Sequence, residues 1–322
     1  MTDISRARPC PAAHREVSMH VFVTGASGWI GSALVPELLA AGHRVTGLAR
    51  SDASAAALTA AGAGVRRGTL DDLDVLAGAA AASDGVVHLA FKHDIAFSGG
   101  FQDATDADRR AVEAFGDALA GSDRPFVLAS GLLGLAPGRV ATERDGREPA
   151  EGEEVQARQA TAQLALSFAS RGVRSSVVRL PPTVHGEGDK GFVAGLVGIA
   201  RDKGVAGYIG DGANRWPAGH VSDAARLFRL ALEKAPAGSA LHANADEGVP
   251  FRAIAEAIGR RLDLPVASIA PGDAAGHFGW LAGVVGLDAP ASSALTRELL
   301  GWRPTGPNLV EDLEKGHYFQ GP

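Results

Sequence analysis

From residue 19 onward, short apolar runs alternate with segments in which apolar side chains recur every three or four positions. An apolar run bounded by turn formers reads as a buried strand, and the three-to-four spacing reads as a helix with one buried face. On that basis residues 19–24 form a strand and 31–41 a helix, with Leu34, Val35, Leu38 and Leu39 facing inward. A strand at 43–48, an Ala-rich helix at 51–61, a strand at 65–68 and a helix at 71–80 follow. Next come a strand at 85–90, a helix at 106–120, a strand at 125–130, a helix at 156–171 and a valine-rich strand at 173–180. Repeated units of this length predict an α/β fold, a doubly wound parallel sheet with helices on both faces. After Pro181-Pro182 the pattern loosens. Helices are expected at 191–201, 222–235 and 251–262, the last with Ile254, Ala257, Ile258 and Leu262 on one face. Residues 1–18 carry Pro9, Pro11 and mixed charge without an apolar run, and are expected to be a disordered tail. Residues 19–181 would form the sheet core, and 182–322 a mixed region that completes the sheet and builds a small substrate lobe. The loops at 91–103 and 134–153 have the length of functional loops.

The chain is 46% hydrophobic and 21% charged, a globular balance that excludes wholesale disorder. A net charge of −6 argues against a nucleic-acid-binding surface. The one cysteine, Cys10, excludes an intramolecular disulfide and a cysteine-built zinc site, and points to a reducing cytoplasm. No stretch reaches the roughly 18 apolar residues of a membrane helix. The histidines show no H-E-x-x-H spacing, so no metal site is expected. Ser130 follows Leu128-Ala129 and not the elbow pattern of a serine hydrolase.

The sharpest local signal is Val21-Phe22-Val23-Thr24-Gly25-Ala26-Ser27-Gly28-Trp29-Ile30-Gly31. Gly25, Gly28 and Gly31 lie three apart, between the first strand and the first helix. Glycines permit a tight turn and close backbone approach, and the helix start offers free N–H groups to a pyrophosphate. The candidate cofactor contacts here are Gly25, Ser27, Gly28, Trp29, Ile30 and Gly31. The second strand ends in Leu48-Ala49-Arg50-Ser51, where a cofactor with a free ribose 2′-hydroxyl usually meets an acidic residue. Arg50 and Ser51 suit a 2′-phosphate instead, so NADP(H) is expected, with Asp52 as the opposing signal.

Together these residues resemble the extended and atypical short-chain dehydrogenase/reductases of the NAD-dependent epimerase/dehydratase branch, from Met19 to about Tyr318. Further markers are His88-Leu89-Ala90, Ala129-Ser130-Gly131, Arg179-Leu180-Pro181-Pro182-Thr183-Val184-His185-Gly186 and Gly219-His220-Val221-Ser222-Asp223-Ala224. The resemblance implies a Rossmann sheet with a C-terminal substrate lobe. It implies that Leu70, Ala90 and Phe91 border the cofactor and that Pro182, Thr183 and Val184 run past the nicotinamide. It also implies a Ser, Tyr, Lys active site with the Lys four residues after the Tyr. Ser130 supplies the serine. The pair would fall near Val155 and Gln159, yet no tyrosine precedes Tyr208 and no lysine lies between Lys92 and Lys190.

Hydride transfer to a carbonyl still requires stabilisation of the developing alkoxide and a proton. Ser130, His185 and Tyr208 are the candidate catalytic groups. Arg158, paired with Glu154 at helical spacing, is a candidate to replace the lysine's charge near the cofactor. Lys92, His93, Gly131, Asn214, Arg215 and Trp216 are candidate substrate contacts. Tyr208 and Arg215 flank Asp211-Gly212, which reads as the turn of a hairpin. Ser222 or Asp223 reads as the cap of the next helix. The leading expectation is an NADP(H)-dependent reductase of a small carbonyl-type substrate with Ser130 holding the oxygen. A non-catalytic NADP(H)-binding sensor is the alternative, and an epimerase or dehydratase on a sugar-like substrate is disfavoured by the missing pair. A homodimer through the small-residue-rich helices at 106–120 and 156–171 is the expectation from the resemblance.

Overall fold

The computed structural model describes residues 18–146 and 157–320, apart from the Phe97 side chain. The expected N-terminal tail up to residue 17, and the end of the expected loop at 134–153, lie outside the described residues. The first half alternates strands and helices: β1 (His20–Thr24), α1 (Trp29–Ala40), β2 (Arg44–Ala49), α2 (Asp52–Ala60), β3 (Gly64–Arg67), α3 (Leu73–Ala81) and β4 (Gly85–His88). It continues through α4 (His93–Phe97), α5 (Phe101–Leu119), β5 (Pro125–Gly131), α6 (Ala157–Ser167) and β6 (Arg174–Leu180). The second half holds β7 (Thr183–His185), α7 (Phe192–Lys203), β8 (Ala206–Ile209), β9 (Arg215–His220), α8 (Val221–Lys234), β10 (Ser239–His242), β11 (Asp246–Pro250), α9 (Phe251–Leu262) and β12 (Val266–Ile269). Short helices follow: α10 (Ala274–Phe278), α11 (Ala282–Val285), α12 (Ala294–Leu300) and α13 (Leu309–Glu314).

Seven parallel strands form the main sheet in the order β10-β6-β5-β4-β1-β2-β3. Successive side chains of a strand point to opposite faces. In β1 this sends Val21 and Val23 into a core with Leu34, Leu38 and Phe228, and Phe22 into another with Val86, Phe115 and Phe126. Both faces are covered, which is why the strands read as unbroken apolar runs. β10 comes from the second half of the chain and lies beside β6. A smaller lobe contains the sheet β11-β9-β7 and the pair β12-β8, packed around Trp216, Phe251 and Phe278.

The segment at 91–103 is not a plain loop: α4 and the first turn of α5 lie within it. The hairpin expected around Asp211-Gly212 does not form. β8 pairs with β12 and β9 with β11 and β7, because left-handed turns at Gly210 and Gly212 pass the chain from one sheet to another. The cap of α8 is His220, whose ring accepts from the Ser222 N–H. Asp223 instead accepts the N–H groups of Thr305 at 2.9 Å and Gly306 at 2.8 Å, and so ties down the C-terminal segment.

Candidate active site

The strand order reverses between β1 and β4. Ligands of doubly wound sheets bind in the crevice at that point, beyond the carboxyl ends of the strands. Gly25 sits there with φ +65°, and a Cβ on it would lie 2.8 Å from the Ala90 nitrogen. A Cβ on Gly31 would fall 2.2 Å from the Gly25 carbonyl oxygen. Gly28 starts α1 without a side-chain cap, and the first turn carries no acidic residue. The N–H groups at the start of α1 therefore face the crevice without a competing carboxylate. This glycine cradle fits the pyrophosphate of a dinucleotide, with Ser27 and Gly28 exposed and Trp29 and Ile30 half-buried beside it. The Trp29 indole N–H donates to the Val184 carbonyl at 2.9 Å, which fixes the start of α1 to β7.

Beyond the glycines, a buried network locks the ends of β1 and β4 together. The Thr24 hydroxyl oxygen accepts the N–H groups of Leu89 and Ala90, each at 3.2 Å. Its own proton then points at His88 Nδ1, 2.6 Å away, and His88 Nε2 faces Asp108 Oδ1 at 3.2 Å. Neither His88 nor Asp108 was singled out by the sequence as a site residue. A signal existed: Asp108 shares one helical face with Ala111, Val112, Phe115 and Leu119, all buried.

Arg158, at the start of α6, lies above the Phe91 ring at 4.0 Å and donates to the Ala129 carbonyl at 3.2 Å. A guanidinium in that position adds fixed positive charge beside Ser130. Burial works against its charge, and Asp108 offsets part of that effect. The exposed His93 packs its ring edge-on against Phe91 at 5.1 Å. Partial desolvation, then the Arg158 charge, hold it below the ordinary histidine range. Ser130 is the penultimate residue of β5 and is buried, and no hydrogen bond engages its hydroxyl among the described residues. Gly131 follows, exposed. The sequence candidates Ala90, Phe91, His93, Ser130, Gly131 and Arg158 are therefore brought to the same end of the sheet. Glu154 and Val155 lie outside the described residues.

Other candidates are directed elsewhere. Lys92 donates to both oxygens of Asp71, at 2.8 and 2.7 Å. Ser51 spends its hydroxyl capping α2, in a reciprocal box with Ser54. Leu70 turns into the core with Phe22, Leu48 and Leu76. Thr183 is buried and donates to the Pro217 carbonyl at 2.7 Å, while Pro182 and Val184 remain half-buried.

The remaining candidates lie in the smaller lobe. His185 is fully buried, and its Nδ1 meets the Asp312 carboxylate at 3.0 Å, which links β7 to α13. Tyr208 packs under Arg252, with the guanidinium 5.5 Å from its ring. Asn214 donates to the carbonyls of Val285 and Leu287. Arg215 is clamped by Asp288, Nε and Nη2 reaching the two carboxylate oxygens at 3.0 and 2.9 Å. Trp216 is fully buried against Phe251, ring centroids 5.0 Å apart. Asn214 and Arg215 thus spend their donors within the lobe, and Trp216 serves as part of its core.

Among the described residues no group of three or more His, Cys, Asp or Glu could hold a metal ion, and no helix is long and apolar enough to cross a membrane. Comparison with known proteins agrees with the geometry. The chain is 48% identical over 303 residues to an uncharacterised protein of Schizosaccharomyces pombe, covering 94% of this chain and 100% of that one. It is 46% identical over 301 residues to an uncharacterised protein of Saccharomyces cerevisiae, covering 93% and 99%. Its fold is shared with a dTDP-glucose 4,6-dehydratase from Streptomyces venezuelae solved with NAD, at a TM-score of 0.72, 21% identity and coverage of 94% and 98%. A UDP-glucose 4-epimerase from Thermotoga maritima solved with UDP-glucose superposes with a TM-score of 0.71 at 18% identity, covering 94% and 98%. The model of the NAD dependent epimerase/dehydratase family matches residues 21–244, and the chain belongs to that family.

Proposed function

We propose that this protein is an NADP(H)-dependent oxidoreductase that reduces a small ketone, aldehyde or related C=X compound. The observation that carries the reading is the joining of the glycine cradle to Ser130 at one end of the sheet, with Arg50 at the end of β2. The bound nicotinamide would supply or accept a hydride. Gly25, Gly28 and Gly31 would admit the pyrophosphate, and Arg50 would meet the ribose 2′-phosphate. The Ser130 hydroxyl, unengaged among the described residues, would donate to the substrate oxygen as charge develops on it. His93, packed on Phe91 beside Arg158, is the titratable ring that would pass a proton to that oxygen. Arg158 would hold positive charge near the reacting centre without acting as a base.

The test is NADPH oxidation by the full chain against a panel of ketones, aldehydes and imines. Ser130→Ala is expected to lower kcat/KM about 100-fold, the scale seen when one oxyanion donor is removed, while the Kd for NADPH stays within about twofold. Unchanged turnover in Ser130→Ala would remove the serine from the chemistry. Bound NADPH with no turnover of any compound in the panel would favour a non-catalytic NADP(H) sensor.

A further inference from the structure

Arg50 lies at the carboxyl end of β2, where the ribose 2′-position is read in folds of this type. Its guanidinium is 71% exposed and pairs with Asp94, with Nη1 3.4 Å from Oδ2. Asp94 is not a neighbour in sequence. It stands in the first turn of α4, 44 residues away, beside His93 and beyond the end of a different strand. The next guanidinium along this edge, Arg67 at the end of β3, is paired with Asp52 at the start of α2. The edge thus carries two cations and two carboxylates before any ligand arrives. Asp52 is local to the strand end, whereas Asp94 belongs to the segment that carries Phe91 and His93. That segment is held at its other side by Lys92 on Asp71, and Asp71 in turn is 3.9 Å from Arg110.

We propose that Asp94 is a specificity-determining residue for the cofactor's 2′-position, because its carboxylate competes with a phosphate for Arg50 and thereby links the occupant of that position to α4. The proposal rests on the reading of Arg50 as the 2′-phosphate partner. A phosphate on Arg50 must either displace Asp94 or tolerate a negative charge within a few ångströms of its own. Displacement releases an ion pair that holds the segment containing α4. A free 2′-hydroxyl has no such conflict and can donate to the same carboxylate. Asp94 therefore weakens phosphate binding and favours the unphosphorylated ribose. The exposure of both partners keeps the effect modest and salt-dependent.

The experiment is titration of the full-length wild type, Asp94→Asn, Arg50→Ala and the double variant with 2′,5′-ADP and with 5′-AMP. Asparagine keeps the shape of the side chain and removes its charge. Asp94→Asn is expected to tighten 2′,5′-ADP about fivefold, to leave 5′-AMP unchanged or slightly weaker, and to lose the gain in the Arg50→Ala background. Hydrogen exchange in residues 93–97 of the wild type is expected to quicken when 2′,5′-ADP is added and not with 5′-AMP. Equal effects on both ligands, no effect on either, or a gain that survives Arg50→Ala would overturn the proposal. If the wild type prefers 2′,5′-ADP through Arg50 and Asp94→Asn changes nothing, this inference alone fails. If the wild type binds both probes equally and Arg50→Ala alters neither, the assignment of NADP(H) fails with it.

Discussion

Replacing Gly31 by alanine is expected to abolish dinucleotide binding, weakening NADPH by about a thousandfold or more. The added methyl would lie 2.2 Å from the Gly25 carbonyl oxygen and 2.6 Å from the Ala26 Cα and carbonyl carbon. All three contacts are with backbone, so no side-chain rotation relieves them. The turn between β1 and α1 must open, and that turn is what sets the helix N–H groups around a pyrophosphate. Gly28 supplies the internal control: a Cβ there meets a single atom, the Gly25 oxygen, at 3.1 Å. Gly28→Ala is therefore expected to bind NADPH more weakly than wild type but measurably. Gly25→Ala should fall closer to Gly31→Ala, because it combines a left-handed φ with a 2.8 Å approach to the Ala90 nitrogen. Titration with NADPH, with far-UV circular dichroism to confirm folding, reads the order directly. A folded Gly31→Ala variant that binds as well as Gly28→Ala would show that the cradle is not the cofactor site.

Acidification is expected to destabilise the protein well before its carboxylates titrate. The cause is His242, fully buried at the end of β10. Its Nδ1 faces the Ser292 carbonyl at 2.7 Å and its Nε2 faces the Arg179 guanidinium at 3.3 Å. Burial first, and the Arg179 charge after it, push its pKa down to about 3. In the unfolded chain the same ring takes a proton near pH 6.5. Between those two values the unfolded state binds a proton that the folded state refuses. Stability is therefore complete above about pH 6.5 and is lost progressively toward pH 3, by roughly 4–5 kcal/mol from this one residue. Asp145 is held well below the usual carboxylate range by Arg139, so its loss belongs to lower pH. His93, His220 and His277 also lie below their ordinary range, with burial as the first cause in each, and add to the same slope. The His242 share is isolated by His242→Gln, whose amide can donate to Ser292 and accept from Arg179. Urea midpoints measured from pH 7 to pH 4 should fall steeply in the wild type and distinctly less in the variant. Parallel curves would mean that His242 is not what resists protonation.

The glycine loop, the alternation of strands and helices, and the absence of a tyrosine before Tyr208 were legible because each is a local or countable property. The spacing of Leu34, Val35 and Leu38 reports that a helix has a buried face, and the runs of valine report strands covered on both sides. Partner choice is not local. Arg215 and Asp288 are 73 residues apart, and His185 and Asp312 are 127 apart. A polar side chain in a sequence carries the same donors whether they meet a substrate or a distant carboxylate. The sequence therefore offered Asn214, Arg215 and His185 as site residues with a chemistry they do possess, and the folded lobe engages that chemistry itself. Asp108 and Asp94 show the converse. The helical spacing puts Asp108 on an apolar face, but only the fold supplies its partner, His88, 20 residues away. Asp94 reads as part of a loop, yet it reaches Arg50 across the strand ends.

By itself, then, the order of residues determined the parallel α/β sheet and the dinucleotide cradle, because periodicity and glycine spacing act over one or two turns of chain. Only the tertiary structure decided which polar groups remain available to a ligand, because hydrogen bonds and ion pairs are claimed by whichever partner the packing of distant segments brings within about 3 Å.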